Sequence, residues 1–379
     1  MYYWRLSGFY FFYFASLGAL IPYWGLYLKA QGFGVVEIGE LVAIIMATKI
    51  VAPNIWGWIA DHGGRRMRLV RLACLLTTLS FTGVFIAQGY WLLALVMSLF
   101  SFFWNAALPQ FEATTLNHLG AETHRYSSIR LWGSIGFIVA VAGLGSLFER
   151  TGTGILPAAL LVLFAGIWIA SLLVPERGTF HPAVDNEPLR KVLTKPAVVS
   201  LLLVCFLIQA SHGPYYTFYS LYLAAHDYSE TAIGQLWALG VVAEIGVFLK
   251  MHGWLPRFGA RHLLLVATLL TTLRWILIAL FVDKLWIMIF AQTLHAASFG
   301  VYHAVAIHLT HQLFTGRHQG RGQALYSSLS FGAGGAVGSL IAGYLWAGVG
   351  AQWMYAAAAA TAALAGLIAW RGIERQVQS

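Results

Sequence analysis

The chain has 379 residues, of which 59% are hydrophobic and 10% are charged. A mean hydropathy of +0.72 excludes a water-soluble globule of average composition and predicts a protein that crosses the membrane several times. The formal charge of +9 would suit a nucleic-acid partner, so the distribution of that charge along the chain has to be considered.

Twelve apolar segments are predicted to be membrane helices, since each offers about 20 mostly apolar residues. They span residues 5–28, 36–60, 69–88, 91–117, 126–148, 154–174, 197–224, 231–250, 263–282, 285–310, 322–346 and 352–370. Of the 23 Lys and Arg residues, 17 lie in or beside the termini and the even-numbered connections, three lie in odd-numbered connections, and three lie well inside predicted helices. This asymmetry is the positive-inside pattern. It predicts that both termini are cytoplasmic and explains the basic charge without a nucleic-acid partner.

Internal repeats divide the chain into two halves. "LYLKAQGFGVVEIGEL" from residue 26 and "LYLAAHDYSETAIGQL" from residue 221 share motifs at an offset of 195, and "GWIADHGGRR" and "GWLPRFGARH" match at 196. The polar stretch "PERGTFHPAVDNEPLRKVLTKP" separates them. We therefore predict an all-α membrane protein with a six-helix bundle over 1–174, a cytoplasmic linker over 175–196 and a second parallel six-helix bundle over 197–379.

The loop "GWIADHGGRR" resembles the motif that joins helices 2 and 3 in the major facilitator superfamily. The matching positions are Gly57, Asp61, Gly64, Arg65 and Arg66. Glycine lets helix ends approach closely, and an aspartate can pair with a cation or a helix N-terminus. The resemblance implies a gating latch at the cytoplasmic face. The alternative is an ordinary basic turn between two helices.

Several ionisable residues fall inside predicted helices, where a charge costs at least about 2.5–3.5 kcal/mol. These are Lys49, Glu112, Arg130, Glu244 and Arg274, together with His212 and His295. Glu112 and Arg130 are separated by 18 residues across one cytoplasmic turn, so we expect them to pair. Desolvation offsets much of the gain from a buried pair, and this favours a functional role over a structural one.

"MYYW", "PQFEA" and "IRLWGSIGF" are similar to segments of the lactose permease and oligosaccharide:proton symporter group. The resemblance implies that Glu112 and Arg130 bind substrate, and it matches Glu244, Arg274 and His295 to the group's charged residues in helices 8 to 10. Three positions depart from the group: Ser298, Gln292 and His212 replace a glutamate, a lysine and an aspartate. The permease's proton site is therefore absent, and we expect Glu244 or Glu112, with His295 and His212, to couple protons.

"RLWGS" and "LGVVAEI" resemble more closely the phenylpropionate permease family, which implies proton-coupled import of a small aromatic or other organic acid. Three cations (Lys49, Arg130, Arg274) exceed two carboxylates inside the helices, which also predicts an anionic substrate. The aromatic residues expected beside them are Phe137, Tyr216 and Trp237. The alternatives are a sugar or nucleoside symporter, a drug or metabolite exporter of the same fold, and a membrane enzyme or receptor.

The remaining expectations concern cofactors, partners and location. No GxxxxGK[ST] loop occurs in the sequence, so ATP-driven transport is not supported. We expect no cofactor, no metal site and no catalytic residues. The two cysteines, Cys74 and Cys205, lie in apolar segments and are predicted to pack as small side chains. The predicted partners are a small-molecule substrate, protons and the lipid bilayer, for a monomer in the inner membrane.

Overall fold

The computed structural model describes residues 2–63, 65–176, 189–315 and 318–373. Within these ranges all regular secondary structure is helical, and no strand occurs. The helices are α1 (Tyr3–Ala30), α2 (Val35–Gly63), α3 (Arg66–Phe81), α4 (Tyr90–Leu119), α5 (Tyr126–Thr151), α6 (Leu156–Leu172), α7 (Leu189–Leu193), α8 (Pro196–Ala224), α9 (Glu230–Phe258), α10 (Ala260–Phe281), α11 (Leu285–Leu313), α12 (His318–Val349) and α13 (Ala351–Gly372).

Eleven of the helices in the described ranges are long and apolar enough to cross a membrane. They agree with eleven of the predicted segments, and the short α7 lies in the predicted linker. The second long helix, α2, is not among the eleven. The all-α membrane architecture is thus confirmed, whereas the count of twelve membrane helices is not confirmed in full.

Two of the long helices contain a π-helical segment that the sequence did not predict. In α11 it covers Ala296–Val301, and in α12 it covers Ser328–Gly334. A π segment adds a residue to the helical turn and shifts every following side chain around the axis. Such segments are rare and often mark functional sites. They change which residues of α11 and α12 face the interior of their unit.

The described chain forms two compact units. The first contains the residues up to 176 together with Tyr228–Ala238, and the second contains residues 189–227 and 239–373. In the first, α1 packs against α5 and α6, and α3 packs against α4 and α6. In the second, α8 packs against α12 and α13, and α10 packs against α11 and α13. Both units therefore follow the same packing order.

Glycines allow close helix crossings in each unit. In the first, a Cβ atom added to Gly18 of α1 would lie 2.6 Å from the carbonyl oxygen of Phe137 in α5. In the second, a Cβ atom on Gly213 of α8 would overlap the backbone of Gly338 in α12. Side chains at these positions would separate the helices, so small residues are required for the packing.

Candidate substrate and proton site

In the first unit, Glu112 of α4 is held by a tyrosine rather than by an arginine. The Tyr126 hydroxyl donates a hydrogen bond to the Glu112 carboxylate over 3.2 Å. Arg130 acts on Glu112 coulombically, but no ion pair within 4 Å joins them among the described residues. The direct pair expected from their spacing is not formed, and Tyr126, one turn before Arg130 on α5, contacts the carboxylate instead.

The Arg130 guanidinium stacks on aromatic rings instead. Its central carbon lies 3.7 Å from the ring centroid of Phe14 and 5.8 Å from that of Tyr10. Gly133 leaves the space for this arrangement, since a Cβ atom there would lie 2.7 Å from a guanidinium nitrogen of Arg130. Within the part of the chain that the structure describes, Arg130 has no hydrogen-bond acceptor. A half-buried guanidinium in this state can still donate in bidentate fashion to a carboxylate.

Lys49 is the other cation of the first unit that the sequence singles out inside a predicted helix. It is partly buried in α2, and among the described residues it has no hydrogen-bond or ion-pair partner. The preceding Thr48 belongs to a polar network that ties α2 to α4. Its hydroxyl donates to Ser101 over 3.0 Å, and the Asn105 amide donates to it over 2.9 Å. Of the three ionisable residues that the sequence singles out in this unit, the two cations thus have no carboxylate ion pair among the described residues, and Glu112 is the carboxylate.

The three aromatic residues predicted to line a site differ in position. Phe137 is buried in α5, next to the crossing with α1. Trp237 is buried in the part of α9 that groups with the first unit. Tyr216, in the second unit, is half-buried and stacks on His212 with a centroid distance of 5.8 Å. The structure therefore does not gather these three residues in one unit.

In the second unit, Arg274 of α10 is fully buried and bonded to four acceptors on α11. Its Nε donates to the Ala291 carbonyl over 3.1 Å, and its Nη2 donates to Gln292 Oε1 over 2.8 Å. Its Nη1 contacts Ser298 Oγ and His295 Nδ1, both at 3.0 Å. The guanidinium is thus occupied by protein acceptors, which distinguishes Arg274 from Arg130.

The hydrogen-bond partners define the tautomers of two buried histidines. Because a guanidinium only donates, His295 Nδ1 must accept, and the ring proton is then on Nε2. That nitrogen faces Glu244 Oε2 at 3.7 Å, longer than a direct hydrogen bond. In His212, Nδ1 lies 2.7 Å from the Ile208 carbonyl oxygen, so this nitrogen is the donor. Its Nε2 then accepts from Ser298 Oγ at 3.4 Å.

Three uncharged side chains, Tyr215, Gln292 and Ser298, complete this cluster. Tyr215 donates to Gln292 Oε1 over 3.2 Å, and its ring centroid lies 4.2 Å from the Arg274 guanidinium carbon. In the sequence, Gln292 and Ser298 stand out only as departures from the lactose permease and oligosaccharide:proton symporter group. The structure shows that they are neutral acceptors for Arg274. A neutral side chain opposite a retained arginine was the signal that could have identified them.

The loop motif between α2 and α3 is only partly described. Gly64 and the side chain of Asp61 lie outside the described residues, so the predicted latch remains a prediction. A Cβ atom on Gly57 would lie 3.4 Å from Gln110 Nε2, in ordinary contact. Arg65 is exposed, and Arg66 begins α3.

The start of α3 is fixed from another part of the chain. The Met67 N–H donates to both carboxylate oxygens of Glu176, each over 3.1 Å. Arg71 donates to the Val174 carbonyl over 2.7 Å. The segment after α6 therefore anchors α3. A carboxylate at the first turn of a helix also complements the positive end of the helix dipole.

The described residues contain no cluster of three or more His, Cys, Asp or Glu side chains that could hold a metal ion. The thiols of Cys74 and Cys205 are both buried and unpaired.

Long helices in two units with the same packing order, and buried ionisable groups in each, define a membrane transporter of the major facilitator class. Residues 3–357 match the model of the MFS_1 like family, and the chain belongs to that family. This confirms the resemblance drawn from the motifs. Membership implies a small-molecule substrate and a protein embedded in the membrane.

Individual relatives and solved structures are similar to this chain over nearly its whole length. The chain is 30% identical over 364 residues to the probable 3-phenylpropionic acid transporter of Escherichia coli (strain K12), covering 92% of each chain. It is 26% identical to the maltose permease of Geobacillus stearothermophilus, covering 89% of this chain and 86% of that protein. Among solved structures, a mutant form of the nucleoside transporter NupG superposes with a TM-score of 0.86 at 14% identity, covering 99% of this chain and 100% of the other. This last likeness concerns the fold alone.

Proposed function

We propose that the protein is a proton-coupled symporter that imports a small aromatic acid by alternating access. The observation that carries the proposal is the state of Arg130. It is a half-buried cation stacked on Phe14, and it has no acceptor among the described residues. A carboxylate is the ligand that matches the planar, bidentate donor pattern of a guanidinium. The 30% identity to a probable 3-phenylpropionic acid transporter supports an aromatic acid.

The charge balance of the first unit supports an anionic substrate. Of the ionisable residues that the sequence singles out inside this unit's helices, Lys49 and Arg130 bring two positive charges, and Glu112 brings one negative charge when ionised. Uncompensated charge is costly inside a bilayer. A substrate carboxylate would compensate the excess, whereas a neutral substrate would leave it in place.

The proton is assigned to Glu244. His295 and His212 each use one ring nitrogen as an acceptor, for Arg274 and Ser298 respectively. Protonating either ring at that nitrogen would break the hydrogen bond it accepts. Glu244 faces the Nε2–H of His295 and can gain or lose a proton without disturbing Arg274. Its protonation removes a negative charge from the membrane domain, which favours binding of an anion, and the coupling is reciprocal.

Uptake of labelled 3-phenylpropionate into proteoliposomes tests this proposal. We expect accumulation when the outside is acidic and none when a protonophore collapses the gradient. Glu244→Gln should abolish gradient-driven accumulation while retaining exchange of labelled for unlabelled substrate. Asp283→Asn is a matched control, because that carboxylate is exposed. Gradient-driven accumulation by Glu244→Gln would disprove the proton assignment, and export under every gradient would disprove import.

A second candidate function is proton-coupled uptake of a neutral sugar or nucleoside. Glu112 favours it, since a carboxylate that accepts a hydroxyl hydrogen bond from Tyr126 can also accept one from a sugar. The maltose permease relative points the same way. Binding of maltose and of 3-phenylpropionate to the purified protein separates the two. Tight maltose binding without binding of the acid would reverse our ranking.

We also propose the cellular arrangement. The protein acts in the inner membrane as a monomer, with bundles over 1–174 and 197–379, a linker over 175–196, and both termini cytoplasmic. The distribution of Lys and Arg supports this orientation. A reporter that functions only in the cytoplasm should be active when fused to the C-terminus, and a reporter that functions only in the periplasm should be inactive there. Periplasmic activity would reverse the topology.

A further inference from the structure

A groove lies in the second unit where α8 begins and α13 ends. Its volume is about 310 Å³, and it is lined by Ser200 of α8 and by Leu364, Leu367, Ile368, Arg371 and Gly372 of α13. The α13 positions 364, 367, 368 and 371 are three or four residues apart, so they lie on one face of the helix. The groove therefore follows α13 and ends at the arginine in its last turn.

The part of the groove away from Arg371 is apolar and open. Leu364 is 48% exposed and Leu367 is 55% exposed, and α13 is long and apolar enough to cross a membrane. Exposed leucines on such a helix contact lipid tails. The rise along the helix from Leu364 to Arg371 is about 10 Å. An acyl chain can therefore lie in the groove while its headgroup reaches the arginine.

The polar end of the groove has donors without protein acceptors. Arg371 is exposed, and neither it nor the Ser200 hydroxyl has a hydrogen-bond or ion-pair partner in the part of the chain that the structure describes. A Cβ atom on Gly372 would overlap Ser200 Oγ, so the glycine lets the end of α13 lie against α8 at this hydroxyl. A guanidinium and a hydroxyl in one groove suit the oxygens of a phosphate, which accept several hydrogen bonds.

A second cation lies at the same end of α13. The Arg261 Nη2 donates to the Trp370 carbonyl over 2.6 Å, and neither Arg261 nor Arg371 forms an ion pair with a carboxylate among the described residues. Trp370 is 56% exposed, and tryptophans of membrane helices are enriched at the level of the headgroups. Two cations without carboxylate partners at that level favour a headgroup of net negative charge over a zwitterionic one, whose own cation they repel.

The opposite end of α13 provides a comparison. A larger groove of about 650 Å³ is lined there by Val349, Trp353, Ala356 and Ala357, none of which is charged. Such a surface accepts acyl chains but does not distinguish one headgroup charge from another. Only the groove at Arg371 combines an apolar channel with a cation.

We propose that the groove between the start of α8 and the end of α13 binds one anionic phospholipid. Its phosphate accepts hydrogen bonds from Arg371 and Ser200, and one acyl chain lies along Leu364, Leu367 and Ile368. The site lies wholly within the second unit, at the face that we propose to be cytoplasmic. None of its lining residues belongs to the candidate substrate and proton site. The inference therefore goes beyond the proposed function and does not depend on the transported substrate.

Native mass spectrometry of the purified protein with phosphatidylglycerol or phosphatidylcholine of the same acyl chains tests the site. We expect one phosphatidylglycerol to bind more tightly than phosphatidylcholine. Arg371→Gln should weaken phosphatidylglycerol binding about 10-fold, because it removes a hydrogen bond to a charged group, and Ser200→Ala about 3-fold. Arg371→Lys keeps the charge and should recover part of the affinity. Arg321→Gln is the matched control, since this exposed arginine of α12 lies outside the groove.

Thermal unfolding in a neutral detergent separates a lipid from a free phosphate. Phosphatidylglycerol should raise the unfolding midpoint of the unaltered protein and of Arg321→Gln more than that of Arg371→Gln, because a ligand stabilises the state that binds it. Glycerol 3-phosphate, which has the phosphate without acyl chains, should leave the midpoint unchanged.

Three results would overturn the proposal. Equal stabilisation by glycerol 3-phosphate would indicate a free-phosphate site instead of a lipid site. Equal binding of the two lipids would show that the headgroup charge is not recognised. Equal losses of phosphatidylglycerol binding in Arg371→Gln and Arg321→Gln would show that the groove holds no particular lipid. None of these results would affect the proposed transport function.

Discussion

Arg130 of the first unit and Arg274 of the second both lie inside long apolar helices, and the two are used in opposite ways. Arg274 is fully buried and bonded to protein acceptors. Arg130 is half-buried, stacks on Phe14 and has no acceptor among the described residues. An arginine whose donors are satisfied holds its surroundings in one arrangement. An arginine with donors to spare is available for a ligand. Two residues of one type, both identified as buried cations, thus have different roles.

The largest expected effect is on stability, in Arg274→Ala. It would leave His295 Nδ1 and the Ser298 oxygen without the Arg274 donor, and it would leave the Gln292 amide oxygen with Tyr215 as its remaining donor. Breaking a buried charged network of this kind costs about 3–5 kcal/mol. Thermal or denaturant unfolding in detergent measures the loss. Arg130→Ala is the control and should lose less than about 1 kcal/mol, because its guanidinium leaves no protein acceptor unpaired. Equal losses of unfolding free energy in the two variants would contradict the different roles of Arg274 and Arg130.

For binding of 3-phenylpropionate, we expect the larger effect at Arg130 rather than at Arg274. Arg130→Ala should weaken 3-phenylpropionate binding about 100-fold, because removing one partner of a buried charge pair costs about 2–5 kcal/mol. Arg130→Lys should recover only part of the affinity, since an ammonium does not bind a carboxylate in bidentate fashion. Calorimetric titration of the folded variants measures both. Unchanged binding in Arg130→Ala would show that the acid group is held elsewhere.

A smaller effect tests the neutral form of His295. In His295→Asn, the amide oxygen can replace Nδ1 as the acceptor for Arg274, so we expect stability close to that of the unaltered protein. His295→Leu provides no acceptor and should cost about 1–3 kcal/mol. Unfolding measurements on the two variants give the difference. If both lost the same amount, the hydrogen bond from Arg274 would contribute nothing measurable.

The smallest effect is expected in Tyr126→Phe, which removes the hydrogen bond to Glu112. The loss should be about 0.5–1.5 kcal/mol in stability, and the freed carboxylate is then able to approach Arg130. If it does so, 3-phenylpropionate binding should weaken because Glu112 competes for the guanidinium. Glu112→Gln together with Tyr126→Phe should restore binding. Weaker binding that persisted in the double variant would rule out this competition.

Much of the site could be identified from single residues, because a charge inside an apolar segment stands out against its neighbours. Arg130, Arg274, Glu112 and Glu244 were found in this way. Their partners could not be found so easily. Tyr126 is an ordinary residue in an aromatic-rich chain, and no local pattern distinguishes a tyrosine that contacts a charge from one that only packs.

The sequence by itself determined the class of protein. Apolar segment length, the distribution of Lys and Arg and the repeat near 195 residues are properties read along one chain, and they follow from the thickness of the bilayer and from helix geometry. Only the tertiary structure decided which side chains contact the charged residues inside the helices. A guanidinium bonds to whatever acceptor the packing brings within about 3 Å, and here the packing places Tyr126 on Glu112 and the Arg130 guanidinium on Phe14. The π segments of α11 and α12 likewise leave no mark in the hydrophobic pattern, because one extra residue in a turn does not change the apolar length of the helix.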